Sequence, residues 1–233
     1  SNVTAGNVGD VSLSSAAAIN DDGLAGTVIT ADVFTATAAG AMTLDTSVNS
    51  IDLTTSAAGD IDVDEANAVT LTNITAADGS ITVDAGGAIG VTSVVSSTDA
   101  DANDVSLTTT SGDITISNVT AGNVGDVSLS SAAAINDDGS AGTVIAADIL
   151  TATAAGAMTL DTTANNVDLT TSAAGDIDVD ETNAVTLTNI TAADGSVTVD
   201  AGGAISATSV VSSTDADAND ISLTTTSGNI TIS

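Results

Sequence analysis

The strongest constraint on the fold is that the chain contains nearly the same sequence twice. The segment SNVTAGNVGDVSLSSAAAINDDG begins at Ser1 and returns unchanged at Ser117, and aligning each position i with i + 116 leaves 14 mismatches. Most of these are mild exchanges, such as Val33 to Ile149 and Ile51 to Val167. Copies this similar should adopt one structure. We therefore predict two repeat units, 1–116 and 117–232, with residue 233 opening a third copy within a longer tandem array.

The composition excludes several classes of function. The chain has no Lys, Arg, His, Cys, Trp, Tyr or Pro, and its formal charge is −31. General acid-base and nucleophilic catalysis depend largely on the missing side chains, so we predict that the chain is not an enzyme. Nucleic acids and anionic membrane surfaces are bound through Lys and Arg, which excludes both as partners. Membrane insertion is not expected either, because no run of about 18 apolar residues occurs.

The pattern of apolar residues nevertheless predicts a folded chain. Mean hydropathy is +0.38, whereas disordered chains combine high charge with low hydrophobicity. Cutting each unit before every recurring alternating start gives six segments of about 19 residues. Their first strands align as Val11/Leu13, Met42/Leu44, Ile61/Val63, Ile81/Val83 and Val105/Leu107.

Each segment has the length and pattern of one coil of a solenoid. A second strand follows in most segments, and Gly, Asn, Asp and Ser mark the corners between strands. Parallel crossover connections are right-handed in about 98% of cases. We therefore predict an all-β fold, a right-handed parallel β-helix (β-solenoid) with about six coils per 116-residue repeat. The alternative is two Ig-like sandwiches, which the absence of Trp, Tyr and Cys does not favour.

At this level the sequence resembles a known family. The motifs GDVSLSSAAAI, GDIDV, GSITVDAGGAI and GDITISNVTAGNV are similar to coils of filamentous-haemagglutinin-type giant bacterial adhesins, and the similarity covers the whole chain. The resemblance implies an extracellular β-helical shaft on a long cell-surface protein, with binding functions in other domains. The expected function is therefore a structural repeat segment of a fibre or adhesin. Its expected partners are further copies of the repeat, either in the same chain or in protomers joined end to end, together with the cell surface or extracellular polysaccharide.

Stacked coils would place aspartates in a column and so form a first candidate metal site. The residue after the first strand reads Ser14, Thr30, Asp45, Asp64, Asp84 and Thr108 through the unit. Neighbouring like charges about 4.8 Å apart repel by roughly 1 kcal/mol in water-like surroundings. Ca²⁺, which prefers six to eight oxygen ligands, is the candidate cofactor that would relieve this repulsion. The second copy repeats the column at Asp161, Asp180 and Asp200.

A second candidate Ca²⁺ site is the loop TDADANDV. Asp99, Asp101 and Asn103 have the alternate spacing of the first ligands of an EF-hand, but Asp104 replaces the required glycine and Thr110 the final glutamate. Stacking would add Asp126, which begins the next coil. The second copy repeats the loop at Asp215, Asp217, Asn219 and Asp220.

Several alternatives to a calcium site remain at this point. The carboxylates can simply keep a fibre soluble, screened by diffuse counterions over about 8 Å. If they do bind Ca²⁺, the repeats themselves could form a cation-dependent adhesion, biofilm or S-layer matrix module. Aspartate-based glycoside hydrolysis lacks the usual aromatic or basic sugar contacts. Ice binding is not favoured, because the outward Thr rows are irregular.

Overall fold

The chain folds as a β-solenoid. The structure is a computed structural model that describes residues 2–23, 28–140, 142, 144–214 and 216–233. Within these ranges the secondary structure consists of strands, joined by parallel pairing into a single sheet that winds through about 10 turns. The predicted all-β solenoid class is confirmed, while its right-handedness stays a prediction.

Each copy contributes twelve of the described strands. In the first copy they are β1 (Val3–Thr4), β2 (Val11–Ser15), β3 (Ile19–Asn20), β4 (Ile29–Ala38), β5 (Met42–Thr55), β6 (Ile61–Glu65), β7 (Val69–Ala76), β8 (Ile81–Ala85), β9 (Ile89–Val91), β10 (Val94–Ser96), β11 (Val105–Thr109) and β12 (Ile114–Ile116). In the second copy they are β13 (Asn118–Thr120), β14 (Val127–Ser131), β15 (Ile135–Asp137), β16 (Val144–Ala154), β17 (Met158–Thr171), β18 (Ile177–Glu181), β19 (Val185–Ala192), β20 (Val197–Ala201), β21 (Ile205–Ala207), β22 (Val210–Ser212), β23 (Ile221–Thr225) and β24 (Ile230–Ile232).

The core is a continuous file of aliphatic side chains inside the coils. Successive side chains of a strand point to opposite faces, so the alternating pattern sends every second residue inward. In β6, Ile61 and Val63 are fully buried, whereas Asp62 and Asp64 are exposed. The same position in adjacent coils carries a side chain of similar size, which lets the layers pack densely. Phe34, the only aromatic residue, is fully buried, and Leu150 takes its place in the second copy.

The register confirms one predicted column and corrects another. Met42, Ile61, Ile81 and Val105 lie in consecutive coils as predicted. Val11, however, pairs with Phe34, which pairs with Ile51, so the first coil does not begin in the Met42 column. The residue stacked on Met42 is Ile19. Of the imperfect Thr27/Ile29 start, Thr27 lies outside the described residues.

The second copy begins on the opposite side of the solenoid from the first. The Met42 column continues through Val127 and Leu150 to Val167, which is the equivalent of Ile51. Met158, the equivalent of Met42, instead stacks below Ile135 in the column of second strands. Equivalent strands of the two copies therefore lie in different columns. The column that holds Met42 in the first copy holds Val167, the equivalent of Ile51, in the second.

This exchange corrects the predicted number of coils. A unit that returns to the opposite side has completed about five and a half turns, consistent with about 10 turns for the chain. The prediction of six coils treated every alternating start as a new turn. The long strands β4 and β5 show why this fails, because each continues through a corner and pairs with two different strands of a neighbouring coil.

The strand pairing found inside each copy continues across the junction between the copies. The last coil of the first copy pairs with the first coil of the second copy through β10–β13, β11–β14 and β12–β15. The backbone amide of Val105 donates to the carbonyl of Asp126 at 2.9 Å, and that of Ile114 donates to Ala134 at 3.0 Å. Similar bonds join coils within a copy, so the strand pairing is not interrupted at residue 116.

Candidate functional site

The structure places the three predicted aspartates of each copy in consecutive coils. Asp45 pairs in register with Asp64, and Asp64 with Asp84; Thr108 follows. In the second copy the same row is formed by Asp161, Asp180 and Asp200. Ser14 and Thr30 were wrongly assigned to this column, because they pair with Thr37 and Ser47 on other strands.

Each row lines an open acidic groove on the outside of the coils. The groove of the first copy has a volume of about 800 Å³ and also contains Asp21 and the edge of Glu65. The groove of the second copy measures about 610 Å³. Since the copies begin on opposite sides, the two grooves face away from each other.

Burial, and then repulsion between neighbouring carboxylates, raises the pKa of several carboxyl groups in the grooves. Partial burial and then the charges of Asp21 and Asp64 raise the pKa of Asp45. Asp161 has a raised pKa for the same reasons, with Asp137 and Asp180 as the main charged neighbours. Asp62, beside the row, also has a raised pKa because of burial and the charges of Asp64 and Asp84. Keeping these carboxyl groups ionised therefore costs more free energy in the folded chain than in the unfolded chain.

The geometry of the row differs from that of a preformed metal site. Among the described residues, no group of three or more carboxylates is close enough to hold a metal ion. Strand spacing separates neighbouring carboxylates by about 4.8 Å along a line, whereas Ca²⁺ gathers six to eight oxygens within about 2.6 Å of one point. Specific calcium binding by these residues stays a prediction.

In the second candidate site, Asp99 binds backbone of the next coil. Its Oδ1 accepts hydrogen bonds from the amides of Asn123 at 2.7 Å and Val124 at 3.0 Å, and its Oδ2 accepts from the Asn123 side chain at 3.1 Å. These bonds, that from the Asn123 side chain above all, lower the pKa of Asp99. The carboxylate closes a corner that contains Gly122, whose φ is +89°.

The loop asparagines have a similar structural role. Asn103 is 7% exposed and donates from Nδ2 to Asp78 Oδ1 at 2.9 Å and to the carbonyl of Thr98. Asn219 makes the equivalent bonds to Asp194 and Thr214. An Asn amide that donates both bonds in this way fixes its own loop.

Asp104 and Asp126 each accept a bond from the coil that follows. Asp104 Oδ1 accepts from the amide of Asp126 at 3.0 Å, and Asp126 Oδ1 accepts from the amide of Ile149 at 3.1 Å. Burial, and to a lesser extent the charge of Asp104, raise the pKa of Asp126 against the effect of its own hydrogen bond. The same arrangement recurs where Asp60, Asp113 and Asp176 accept the amides of Ser80, Ala134 and Ser196.

The remaining predicted ligands lie apart from any common centre. Asp101 and its equivalent Asp217 are exposed in turns, and Asp220 is exposed on the last coil. Asp215 lies outside the described residues. Among the loop residues, Asp99, Asn103 and Asp104 instead make hydrogen bonds that hold the turns between neighbouring coils.

Sequence reasoning missed the two residues with the most distinctive environment. Glu65 and Glu181, the only glutamates, are each 3% exposed and point into the solenoid. Glu65 accepts from the Thr46 hydroxyl at 2.8 Å and from the amides of Val48 and Asn67 at 3.1 and 2.9 Å. Glu181 accepts the equivalent bonds from Thr162, Ala164 and Asn183.

Burial raises the pKa of both glutamates, against the opposing effect of their hydrogen bonds. The sequence did contain a signal for this position. Ile61, Val63 and Glu65 are every second residue of one strand and so share a face, which predicts that the Glu65 side chain points inward. Only the longer side chain reaches the corner amides of the coil before, which explains Glu at this position in a chain that otherwise uses Asp.

Comparison with known proteins gives no relative. No protein-family model matches the chain, and no curated protein or solved structure is significantly similar to it. Among the residues that the structure describes there is also no helix of the length and apolarity needed to cross a membrane.

Proposed function

We propose that the chain is a structural segment of a long extracellular fibre or adhesin shaft, in which each repeat adds length. The observation that carries the proposal is the junction at residue 116, where β10, β11 and β12 pair with β13, β14 and β15. A unit that stacks on its neighbour through its own interior pairing can be repeated without a new interface.

The interior of the coils supports a mechanical role. The aliphatic core fills the solenoid from Val11 to Ala207. Among the described residues, no buried side-chain nitrogen or oxygen atom lacks a hydrogen-bond partner. The two acidic grooves are open surfaces lined mainly by carboxylates and small side chains. Such a surface favours solubility of a densely packed rod more than the enclosure of a substrate.

The extracellular location rests on the resemblance of the coil motifs to haemagglutinin-type adhesins. Antibodies raised against the 116-residue unit and coupled to gold should label filaments on intact, unpermeabilised cells that produce the chain. The label should disappear after mild surface proteolysis. Labelling that appears only after the cells are opened would contradict the extracellular assignment.

The acidic grooves keep a second candidate function testable. A calcium-dependent adhesion module would use Asp45, Asp64 and Asp84 to bind Ca²⁺ or bridge neighbouring fibres. Scanning calorimetry in 2 mM CaCl₂ and in chelator, at matched ionic strength, separates the two functions. The shaft proposal expects superimposable melting curves, whereas a specific site raises the melting temperature in Ca²⁺ and not in Mg²⁺.

A further inference from the structure

Four Asp-Gly dipeptides occur in the chain, at 22–23, 78–79, 138–139 and 194–195. In such a dipeptide the glycine amide nitrogen can attack the side-chain carboxyl carbon of the aspartate and close a five-membered imide ring. Glycine favours this attack because it has no Cβ to obstruct the approach and can adopt backbone angles that other residues rarely adopt. The fold places the four dipeptides in two different settings, which decides where the reaction can occur.

Two of the dipeptides are fixed within the strand stack. Asp78 forms a parallel bridge with Ala58, and its carbonyl accepts a backbone amide of the preceding coil at 2.8 Å. Gly79 is buried, and its carbonyl accepts the Ser96 hydroxyl at 3.0 Å. The dipeptide at 194–195 repeats these contacts in the second copy. Neighbouring coils thus hold the backbone on both sides of the peptide bond that would have to rotate.

The other two dipeptides lie in exposed turns. Asp138 and Gly139 come directly after β15, and Gly139 has a φ of +71°. Asp22 and Gly23 are their equivalents in the first copy, and the φ of Gly23 is +65°. A Cβ built on either of these glycines would meet nothing within 4 Å, whereas a Cβ on Gly79 would lie 2.5 Å from a backbone oxygen. Only the exposed turns therefore have the open space that ring closure needs.

The hydrogen bonds around Asp138 match the chemical requirements of ring closure. The amide of Gly139, which must lose its proton, donates to Asp137 Oδ1 at 2.9 Å. The Ser117 hydroxyl donates to Asp138 Oδ2, and the amide of Ser140 donates to Asp138 Oδ1 at 2.9 Å. A carboxylate beside the attacking nitrogen can accept its proton. Donors on the two oxygens under attack stabilise the negative charge that develops there.

We propose that Asp138 is a site of spontaneous backbone modification, at which the aspartyl linkage converts to an isoaspartyl linkage. The Gly139 nitrogen bonds to Cγ of Asp138 and gives its proton to Asp137. The bond from Cγ to Oδ2 breaks, and this oxygen leaves as water with the amide proton and one proton from solvent. Water then adds to the imide and breaks its bond to the main-chain carbonyl carbon of Asp138. The chain now continues through the side-chain carboxyl carbon, and its mass is unchanged.

The product differs from the original chain in the shape of one turn. The backbone gains one atom between β15 and β16, and a main-chain carboxylate replaces the side-chain carboxylate, so the net charge stays the same. The turn borders the acidic groove of the second copy, because Asp137 is a charged neighbour of Asp161. Asp22 is the corresponding site in the first copy, where the Gly23 amide donates to Asp21 Oδ1 at 2.8 Å.

Ageing of the purified chain in neutral buffer at 37 °C tests the proposal. Isoaspartyl methyltransferase with a labelled methyl donor measures the total product, and electron-based fragmentation of peptic peptides locates it. The chain has no Lys or Arg for trypsin, and Leu24 and Ser140 give the peptides of the two turns different masses. Isoaspartate should accumulate at residue 138 at least tenfold faster than at residue 78. In urea, where both sites lose their surroundings, the two rates should become similar.

Matched variants separate the groups that act at the turn. Asp137→Asn keeps a hydrogen-bond acceptor but removes the base, and Ser117→Ala removes the donor to Oδ2; each should slow the reaction about tenfold. Asp113→Asn is the control, because Asp113 caps the amide of Ala134 away from the turn and the second copy already carries Asn229 at this position. This variant should age at the rate of the unmodified chain. Circular dichroism first establishes that all variants fold.

Two outcomes would overturn the inference. One is an equal rate at residues 138 and 78 in the folded chain, which would mean that the turn gives no advantage. The other is a rate at residue 138 that neither Asp137→Asn nor Ser117→Ala changes. The inference needs only the turn after β15 and not the proposed shaft function, so failure of the surface-labelling experiment leaves this result independent.

Discussion

At the scale of single residues, the buried glutamates are the most specialised positions of the fold. Glu65 satisfies two backbone amides and a hydroxyl from inside the solenoid. Replacing it with Ala leaves these donors without an acceptor, which costs about 1–3 kcal/mol per unsatisfied buried group. The substitution also removes the burial cost of the carboxylate itself, which raises its pKa. We therefore expect Glu65→Ala to lower the free energy of unfolding by a net amount of about 2–4 kcal/mol in urea titrations.

The matched variants separate hydrogen bonding from charge. Glu65→Gln keeps one acceptor oxygen and should be milder than Glu65→Ala, while Asp64→Ala, on the exposed face of the same strand, should not destabilise the chain. Equal losses for Glu65→Ala and Asp64→Ala would contradict the role assigned to the buried carboxylate.

Gly122 provides a second residue-scale prediction, because the repeat supplies its own control. Gly122 and Gly6 are equivalent, and both have positive φ, +89° and +76°. A Cβ at Gly122 would collide with the carboxylate of Asp99, whereas a Cβ at Gly6 would meet nothing within 4 Å. Both Ala variants carry the backbone strain, about 1 kcal/mol.

Gly122→Ala should therefore lower the thermal midpoint by several degrees more than Gly6→Ala. The additional loss comes from breaking the bonds of Asp99 to Asn123 and Val124. Midpoints that fall equally in the two variants would indicate that the Asp99 contact contributes nothing to stability.

At the scale of elements, the acidic row should behave as a source of repulsion. Asp64 lies between Asp45 and Asp84. Asp64→Asn should raise the free energy of unfolding by about 1 kcal/mol or less in 20 mM salt, and the gain should vanish in 1 M NaCl. Asp52→Asn is the control, because Asp52 accepts a bond from Asn73 Nδ2 at 3.0 Å. A loss of stability in Asp64→Asn that appears only with Ca²⁺ present would instead support a calcium site.

The strands themselves were largely predictable from sequence, because alternation alone assigns the inward residues. Met42, Ile61, Ile81 and Val105 stack as expected, since successive coils in this stretch have similar lengths and identical starts. The stacking of Val11 was not predictable, because β4 and β5 pass through corners without a break in the alternating pattern. A pattern with period two gives the face of each residue but not the corner at which the chain changes direction.

The candidate site was predictable in position but not in contacts. The sequence places Asp45, Asp64 and Asp84 in one row, because these three share an offset from their strand starts. It did not reveal that Asp99 and Asp104 accept amides from the following coil, since those donors lie more than 20 residues further along the chain. Bonds between coils depend on the length of each turn, which composition does not fix.

At the scale of the whole molecule, the burial and crowding of carboxyl groups predict an unusual dependence of stability on pH. Burial raises the pKa of several carboxyl groups above their ordinary values, and at the aspartates neighbouring carboxylates add to this effect. These groups are Glu65, Glu181, Asp45, Asp62, Asp126, Asp161 and Asp178. Over the pH range in which these groups titrate, the folded chain binds more protons than the unfolded chain. The free energy of unfolding therefore rises as the pH falls. Asp99, whose pKa is lowered by its hydrogen bonds, contributes in the opposite direction.

Thermal midpoints in constant ionic strength should therefore increase as the pH falls from 7 towards 4, where these carboxyl groups take up protons. The gain should be smaller in Glu65→Gln, which removes one of the raised groups. A midpoint that falls steadily over this range would show that carboxylate bonds such as those of Asp99 outweigh the repulsion.

The half-turn between copies decides how a longer array displays its surfaces. About five and a half turns of coils spaced about 4.8 Å apart give an axial rise of about 26 Å per unit. Successive acidic grooves then alternate between opposite sides of the rod, and every second unit restores the same face.

Cryo-electron microscopy of a chain extended to eight or more copies tests this claim most directly. We expect an unbroken rod with a rise of about 26 Å and a rotation of about 180° per 116 residues, apart from the gradual twist of the stacked strands. A string of separate globular units, or a rod in which every copy presents its groove on the same side, would contradict it.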